Sequence, residues 1–325
     1  SYTTEIPTTG SLTESDSAEI YFPVTNDSTT FPLALMLQGA LVERGDYANF
    51  AAQVARYGFV VVVPDHQRTL PGPMGPITGL FPDVELVDDV LDFMEGENLN
   101  DLSDLAGKVN TNQMGLLGHS FGGVVGLTAI QGICFPFLCN DPSFERPEEL
   151  LAGIFYGTSF TDQMTGEFLP IDNQGIPTGL IAGELDGVAE LAEVQETYDQ
   201  IQDPPKALVT VLGANHYGIT NDDSFRDPTR PTLPQELATE TIARWSALFL
   251  RAHVQGDGEA FDYIYNSGEA QDENVTVVSE TVPEASATWG IIALGLGGAV
   301  FRLNGQKKNS RRRILRNNLQ FRDCQ

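Results

Sequence analysis

The sequence predicts an α/β fold with a mostly parallel central sheet and helices on both faces, and three observations point to it. From about residue 19 to residue 255, apolar runs of strand length alternate with longer segments of helical periodicity. The strand-length runs are nearly continuous in apolar residues, as strands covered on both faces require. No repeat recurs at a fixed period, which excludes a solenoid or a propeller.

Taken in order, residues 19–24 read as an antiparallel strand at the sheet edge. Residues 33–38 (Leu33-Ala34-Leu35-Met36-Leu37-Gln38) and 59–63 (Phe59 and four valines) read as buried strands, as do 113–118, 153–156, 178–182 and 207–212. Helices are expected at 47–57, 84–94, 121–131, 188–201 and 234–254. Loops 66–82 and 132–147 are rich in Pro, Gly and bulky apolar residues. Each follows an element that ends on the carboxyl side of the sheet, where open α/β folds bind ligands. Leu70, Met74, Ile77, Leu80, Phe81, Phe135 and Phe137 are therefore candidates for an apolar pocket wall or for a plug above the core.

Residues 1–270 read as one domain, 271–288 as an acidic linker, and 289–325 as an apolar then basic tail. The 325 residues carry a net charge of −27, but eight of the 18 Lys+Arg lie at or beyond Arg302 against one acid, Asp323. Residues 1–301 thus hold ten bases against 44 acids, a net of −34. A body so acidic repels phosphate backbones, which excludes nucleic acid as its partner. Of three cysteines, Cys134 and Cys139 either close a small loop as a disulfide or remain free thiols, and Cys324 is left over. Neither their spacing nor the four histidines form a zinc pattern.

Gly118-His119-Ser120-Phe121-Gly122 matches G-x-S-x-G, a turn that presents a serine between a strand and a helix. A strand precedes it, and the following helix starts with Gly122, Gly123 and Gly126, small enough to pack tightly. A serine hydroxyl needs a base within reach. His216, after the last predicted strand, fits this role best, since His119 points away from the serine, His253 lies near a helix end and His66 begins a loop where it can line the site. The acid that orients the base should follow strand 178–182, where Asp186 is the choice, with Glu184 and Asp162 as competitors. Two backbone N–H groups, of Phe121 and Ala40, are placed to form an oxyanion hole. Gln38, Met74, Phe81, Phe135 and Tyr217 are the candidate substrate contacts.

Together, Met36-Leu37-Gln38-Gly39, Val63-Pro64-Asp65-His66, GHSFGG at 118–123, AGELDG at 182–187 and GANHYG at 213–218 resemble the α/β-hydrolase superfamily. Within it the pattern is similar to the cluster holding platelet-activating-factor acetylhydrolases, bacterial polyester hydrolases and chlorophyllases. The resemblance covers residues 17–255 and implies an α/β-hydrolase fold and a carboxylic-ester hydrolase that uses no metal and no organic cofactor. Relatives usually carry His-Gly where Gln38-Gly39 stands, and plant chlorophyllases have Arg where Phe121 follows the serine. The apolar loops suit a hydrophobic ester, chlorophyllase-like with a phytyl group, with a short-chain or polyester esterase or an acetylhydrolase as the alternative. A non-catalytic binding protein on the same fold is the reading from another class. Val282-Pro283-Glu284-Ala285-Ser286, the charge-free stretch 289–301 and Arg311-Arg312-Arg313 resemble the bacterial PEP-CTERM sorting signal, with Ala285 in place of the usual second proline. That resemblance implies an exported or cell-envelope protein whose tail associates with a membrane.

Overall fold

The computed structural model describes residues 1–25, 28–72, 74–162 and 165–282. Its strands are β1 (Tyr2–Pro7), β2 (Ser15–Tyr21), β3 (Phe31–Leu37), β4 (Val60–Pro64), β5 (Gln67–Leu70), β6 (Ile77–Leu80), β7 (Val109–His119), β8 (Leu150–Tyr156), β9 (Thr178–Gly183), β10 (Lys206–Val211) and β11 (Val275–Glu280). The helices are α1 (Ala48–Arg56), α2 (Leu86–Leu99), α3 (Phe121–Gln131), α4 (Leu191–Gln200), α5 (Gln235–Val254) and the short α6 (Gly258–Asp262). Nine strands make one sheet in the order β1-β2-β4-β3-β7-β8-β9-β10-β11, parallel from β4 to β10 and antiparallel at both margins. This is the expected α/β architecture.

Strand β3 shows how the two cores arise. Leu33, Leu35 and Leu37 point to the face covered by Val87, Val90 and Val125 of α2 and α3, while Ala34 and Met36 meet Phe50, Val54, Trp245 and Phe249 of α1 and α5. All are at most 1% exposed. With side chains alternating faces and both faces covered, every position must be apolar.

The chain leaves β3 through α1 to β4 on one side and leaves β7 through α3 to β8 on the other. The connections diverge between the carboxyl ends of β3 and β7, the place where doubly wound sheets open a crevice. Loop 38–43 and the Ser120 turn flank that point.

Three expectations need correction. The segment read as an edge strand at 19–24 is β2, and it lies inside β1, which sequence patterning did not find. β1 is polar because it lies at the margin, with only Ile6 fully buried. Loop 66–82 contains the antiparallel hairpin β5–β6. The stretch assigned to a linker from residue 271 holds β11, the last strand of the sheet, paired with β10 from Lys206–Glu280 to Val211–Val275. Its alternating exposure makes an edge strand read as polar. Asp272 anchors it by accepting from Trp245 Nε1 (2.8 Å) and Arg244 Nη1 (3.0 Å) on α5. The compact unit accordingly spans Ser1–Val282. The apolar and basic tail lies outside the described residues, and among the described ones no helix is long and apolar enough to cross a membrane.

Candidate active site

Ser120 stands at the turn from β7 to α3 with φ 53° and ψ −118°, a conformation that costs a non-glycine residue about 1–3 kcal/mol. Its N–H donates to Tyr156 O (2.9 Å), and its carbonyl accepts from Gly123 N (2.9 Å), which holds the strained residue between β8 and the first turn of α3. The glycine after Phe121 is required by contact. A Cβ on Gly122 would stand 2.1 Å from Leu37 O and 2.6 Å from Gln38 O, so only glycine lets the helix start abut the end of β3. That approach brings the Phe121 amide beside loop 38–43. Among the described residues, neither Phe121 N nor Ala40 N has an acceptor. Two free N–H groups at this meeting point form a candidate oxyanion hole.

Asp186 and His216 follow β9 and β10 and form a buried pair. His216 Nδ1 lies 2.8 Å from Asp186 Oδ2, and the residues are 2% and 5% exposed. Asp186 Oδ1 accepts from Val188 N and Ala189 N, both at 2.8 Å, so the carboxylate's orientation is set by its own loop. Since a carboxylate only accepts, His216 Nδ1 carries a proton, and in the neutral ring Nε2 then presents a lone pair. The two loops are zipped by Leu185 N to Ala214 O (2.8 Å). Gly157, at the end of β8, leaves room for the pair, because a Cβ there would lie 2.9 Å from His216 Nδ1 and 3.0 Å from Asp186 Oδ2. The His216 ring lies against the elbow, with its centre 4.7 Å from that of His119.

The competing acids are engaged elsewhere. Glu184 Oε2 accepts from Gly213 N (2.8 Å), bracing the loop before His216, and Asp162 Oδ1 accepts from Thr165 N (2.8 Å) in its own turn. Asp227, which sequence reading passed over, is fully buried. Its Oδ2 accepts from His216 N (2.8 Å) and Gly187 N (3.4 Å), and its Oδ1 from Thr229 N (2.7 Å), tying the acid and base loops together. No periodicity marks an aspartate in a polar loop, and only its burial reveals it.

The expected substrate contacts divide. Phe81 packs edge-on against Phe121 (5.9 Å between ring centres), and Leu41 closes on Gly79 of the β5–β6 hairpin, so apolar side chains gather beside the elbow. The other four are corrected. Gln38 is fully buried; with its amide oriented to suit its neighbours, it donates to Pro64 O (3.2 Å) and accepts from His66 N (2.7 Å), joining β3 to the end of β4. Met74 is wholly exposed near the hairpin tip. Phe135 is drawn inward onto Phe160 (6.0 Å). Tyr217, 5% exposed, packs between His216, His119 and Arg226 and supports the base from behind.

His66 does not line the site. It is buried between Asp16 (2.5 Å) and Asp83 (3.1 Å), with Arg68 beside Asp83 (3.3 Å). Burial alone lowers its pKa, but hydrogen bonds to Asp16 and Asp83 outweigh this and raise it to about 9. Arg68 also donates to Phe137 O (2.7 Å), which ties the two long loops together, and within the second of them Cys134 and Cys139 form a disulfide with Cα atoms 5.4 Å apart.

Compared with known families, the chain matches the Chlorophyllase model over residues 5–133. This span takes in loop 38–43, the hairpin, the elbow and α3, and ends before Asp186 and His216. No curated protein matches the chain. The sheet topology and the family match show an α/β-hydrolase fold, and the match over residues 5–133 supports a serine ester hydrolase of chlorophyllase-like type.

Proposed function

We propose that this α/β-hydrolase-fold esterase cleaves carboxylic esters of hydrophobic alcohols or acids, phytyl esters among them, through an acyl-enzyme on Ser120. The observation that carries the reading is the strained serine at the switch point with the buried Asp186–His216 pair against its elbow. His216 Nε2 takes the Ser120 proton as Oγ bonds to the ester carbonyl carbon. The carbonyl oxygen becomes an oxyanion that the Phe121 and Ala40 N–H groups receive. Asp186 stabilises the imidazolium, which then protonates the departing alcohol as the C–O bond breaks. Water repeats the sequence on the acyl-enzyme, releasing the acid and restoring Ser120.

Leu41, Phe81 and Phe121 favour a hydrophobic group next to the scissile bond. Met74 and Phe135 do not extend this apolar group, which favours a shorter-chain esterase as the second reading. The disulfide supports an exported setting, since such bonds persist in oxidising compartments. The test is turnover of p-nitrophenyl esters, phytyl chlorophyll esters and a polyester film by the protein and its Ser120→Ala variant. Ester cleavage that falls by about 10³-fold or more in the folded variant is expected. A folded Ser120→Ala protein that keeps more than about a tenth of the activity overturns the assignment. Phytyl esters left intact while acetyl esters turn over fastest select the shorter-chain reading.

A further inference from the structure

The ester-hydrolase reading uses Ser120, His216, Asp186 and two backbone amides, and does not account for the buried Tyr47 and His119 side chains. Tyr47 and His119 are both 0% exposed and lie behind the site. Buried polar groups are retained where each donor and acceptor has a partner. Here the partners form one unbranched line. Gly39 N is 2.8 Å from the Tyr47 hydroxyl, Tyr47 Oη is 2.9 Å from His119 Nδ1, and His119 Nε2 is 2.9 Å from His216 O.

Elementary donor and acceptor rules fix the direction of every bond. A backbone carbonyl only accepts, so His119 Nε2 carries the ring proton and donates to His216 O. In a neutral ring Nδ1 is then a lone pair, so Tyr47 donates its hydroxyl proton to it. With that proton committed, the phenolic oxygen accepts from Gly39 N–H. Burial holds the His119 ring neutral, driving its pKa well below the ordinary value, with the nearby His216 as the second cause. A cationic ring would turn Nδ1 into a donor facing the Tyr47 hydroxyl and leave the phenolic proton without its acceptor in the line.

The ends of the line are informative. Gly39 precedes Ala40, His119 precedes Ser120, and His216 is the base itself. Gly39 must be glycine because a Cβ would stand 2.7 Å from His119 Nδ1. Its N–H is spent on Tyr47, whereas the next N–H, that of Ala40, has no acceptor among the described residues. We infer that Tyr47 and His119 are positioning residues that lock the oxyanion loop and the base loop to the nucleophile elbow, aiming the Ala40 N–H at the developing oxyanion. This inference rests on the ester-hydrolase reading.

The experiment uses the full chain and p-nitrophenyl butyrate, with active sites counted by a fluorophosphonate. Tyr47→Phe keeps the ring and deletes the hydroxyl. The expected result is a fall in kcat per active site of about 10- to 100-fold, less than loss of a whole oxyanion donor, with KM within about twofold. His119→Gln, which keeps a donor toward His216 O, should retain more activity than His119→Leu. A purely structural role would lower Tm and leave kcat per active site unchanged, and a Tyr47→Phe value within about twofold of wild type overturns the inference. An activity-independent measurement accompanies this. Imidazole ¹⁵N spectra should show His119 protonated at Nε2, and Gly39 amide exchange should be slow in the wild type and fast in Tyr47→Phe. An Nδ1–H tautomer, or unchanged Gly39 exchange, refutes the line of bonds. A wild type that neither cleaves esters nor takes up fluorophosphonate removes the ester-hydrolase reading, and the ¹⁵N and exchange results then decide the bond line separately.

Discussion

Replacing Asp186 by Asn changes one atom and should disable the site, for a reason set by the backbone around it. Asp186 Oδ1 accepts from Val188 N and Ala189 N, both at 2.8 Å, and Oδ2 faces His216 Nδ1 at 2.8 Å. Asparagine must keep its carbonyl oxygen toward the two backbone donors, because turning the amide would oppose N–H to N–H at two buried contacts. Its NH₂ therefore faces His216 Nδ1, which becomes an acceptor, and the ring proton moves to Nε2, the atom that should receive the serine proton. The wrong tautomer and the lost negative charge together should lower kcat about 10⁴-fold, equivalent to roughly 5 kcal/mol of transition-state stabilisation. Folding should change little, since shape and the two backbone bonds are kept. Steady-state hydrolysis of a p-nitrophenyl ester, with Tm measured alongside, checks this. Glu184→Gln and Asp162→Asn serve as controls, because the Glu184 carboxylate accepts from Gly213 N and that of Asp162 from Thr165 N. An Asp186→Asn enzyme within about tenfold of wild type, or a larger loss in Asp162→Asn, refutes the reasoning.

The other predictions concern the apolar side chains beside the elbow, the inward-facing phenylalanine and the buried charge cluster. Phe81→Ala should flatten the rise of kcat/KM with acyl chain length, each added methylene otherwise contributing up to about 0.8 kcal/mol, while leaving acetyl-ester turnover within about threefold; a chain-length series in both proteins decides it. Phe135→Ala should leave that series unchanged and lower stability by about 1–3 kcal/mol, because the ring packs on Phe160 and is only half-buried; denaturant unfolding reads the loss. His66 is held protonated between Asp16 and Asp83, with its pKa raised to about 9 from 6.5, so its contribution is complete below about pH 6.5 and disappears as pH rises through 9. Tm should therefore drop by at least about 3 °C between pH 6.5 and 9.5, and a His66→Gln variant should lose that pH-dependent drop; a wild-type Tm flat across this window speaks against the buried ion pairs.

The sequence by itself determined the parts that are local and repeated. Uninterrupted apolar runs such as 33–37 and 60–63 could only be strands covered on both faces, and the helical periods between them required a parallel sheet. The G-H-S-F-G turn is equally local, since its glycines answer contacts with the immediately adjoining strand and helix. Chain order and position after a predicted strand singled out His216 and, ahead of Glu184 and Asp162, Asp186, and the fold pairs these two side chains. What only the tertiary structure decided was where polar or isolated residues end up. β1 and β11 read as polar because a margin strand buries one face at most, and Asp272 becomes an anchor only once α5 lies beside it. Phe81 and Phe135 look alike in the sequence, yet one meets Phe121 at the elbow and the other turns into the core, because the paths of two long loops set their directions. Asp227, Tyr47 and His119 have no periodic signature, since their bonds join loops far apart in the chain. Their roles exist only after the sheet has brought the ends of β3, β7, β9 and β10 into one row, where a buried donor without a partner would cost more than the bond that satisfies it.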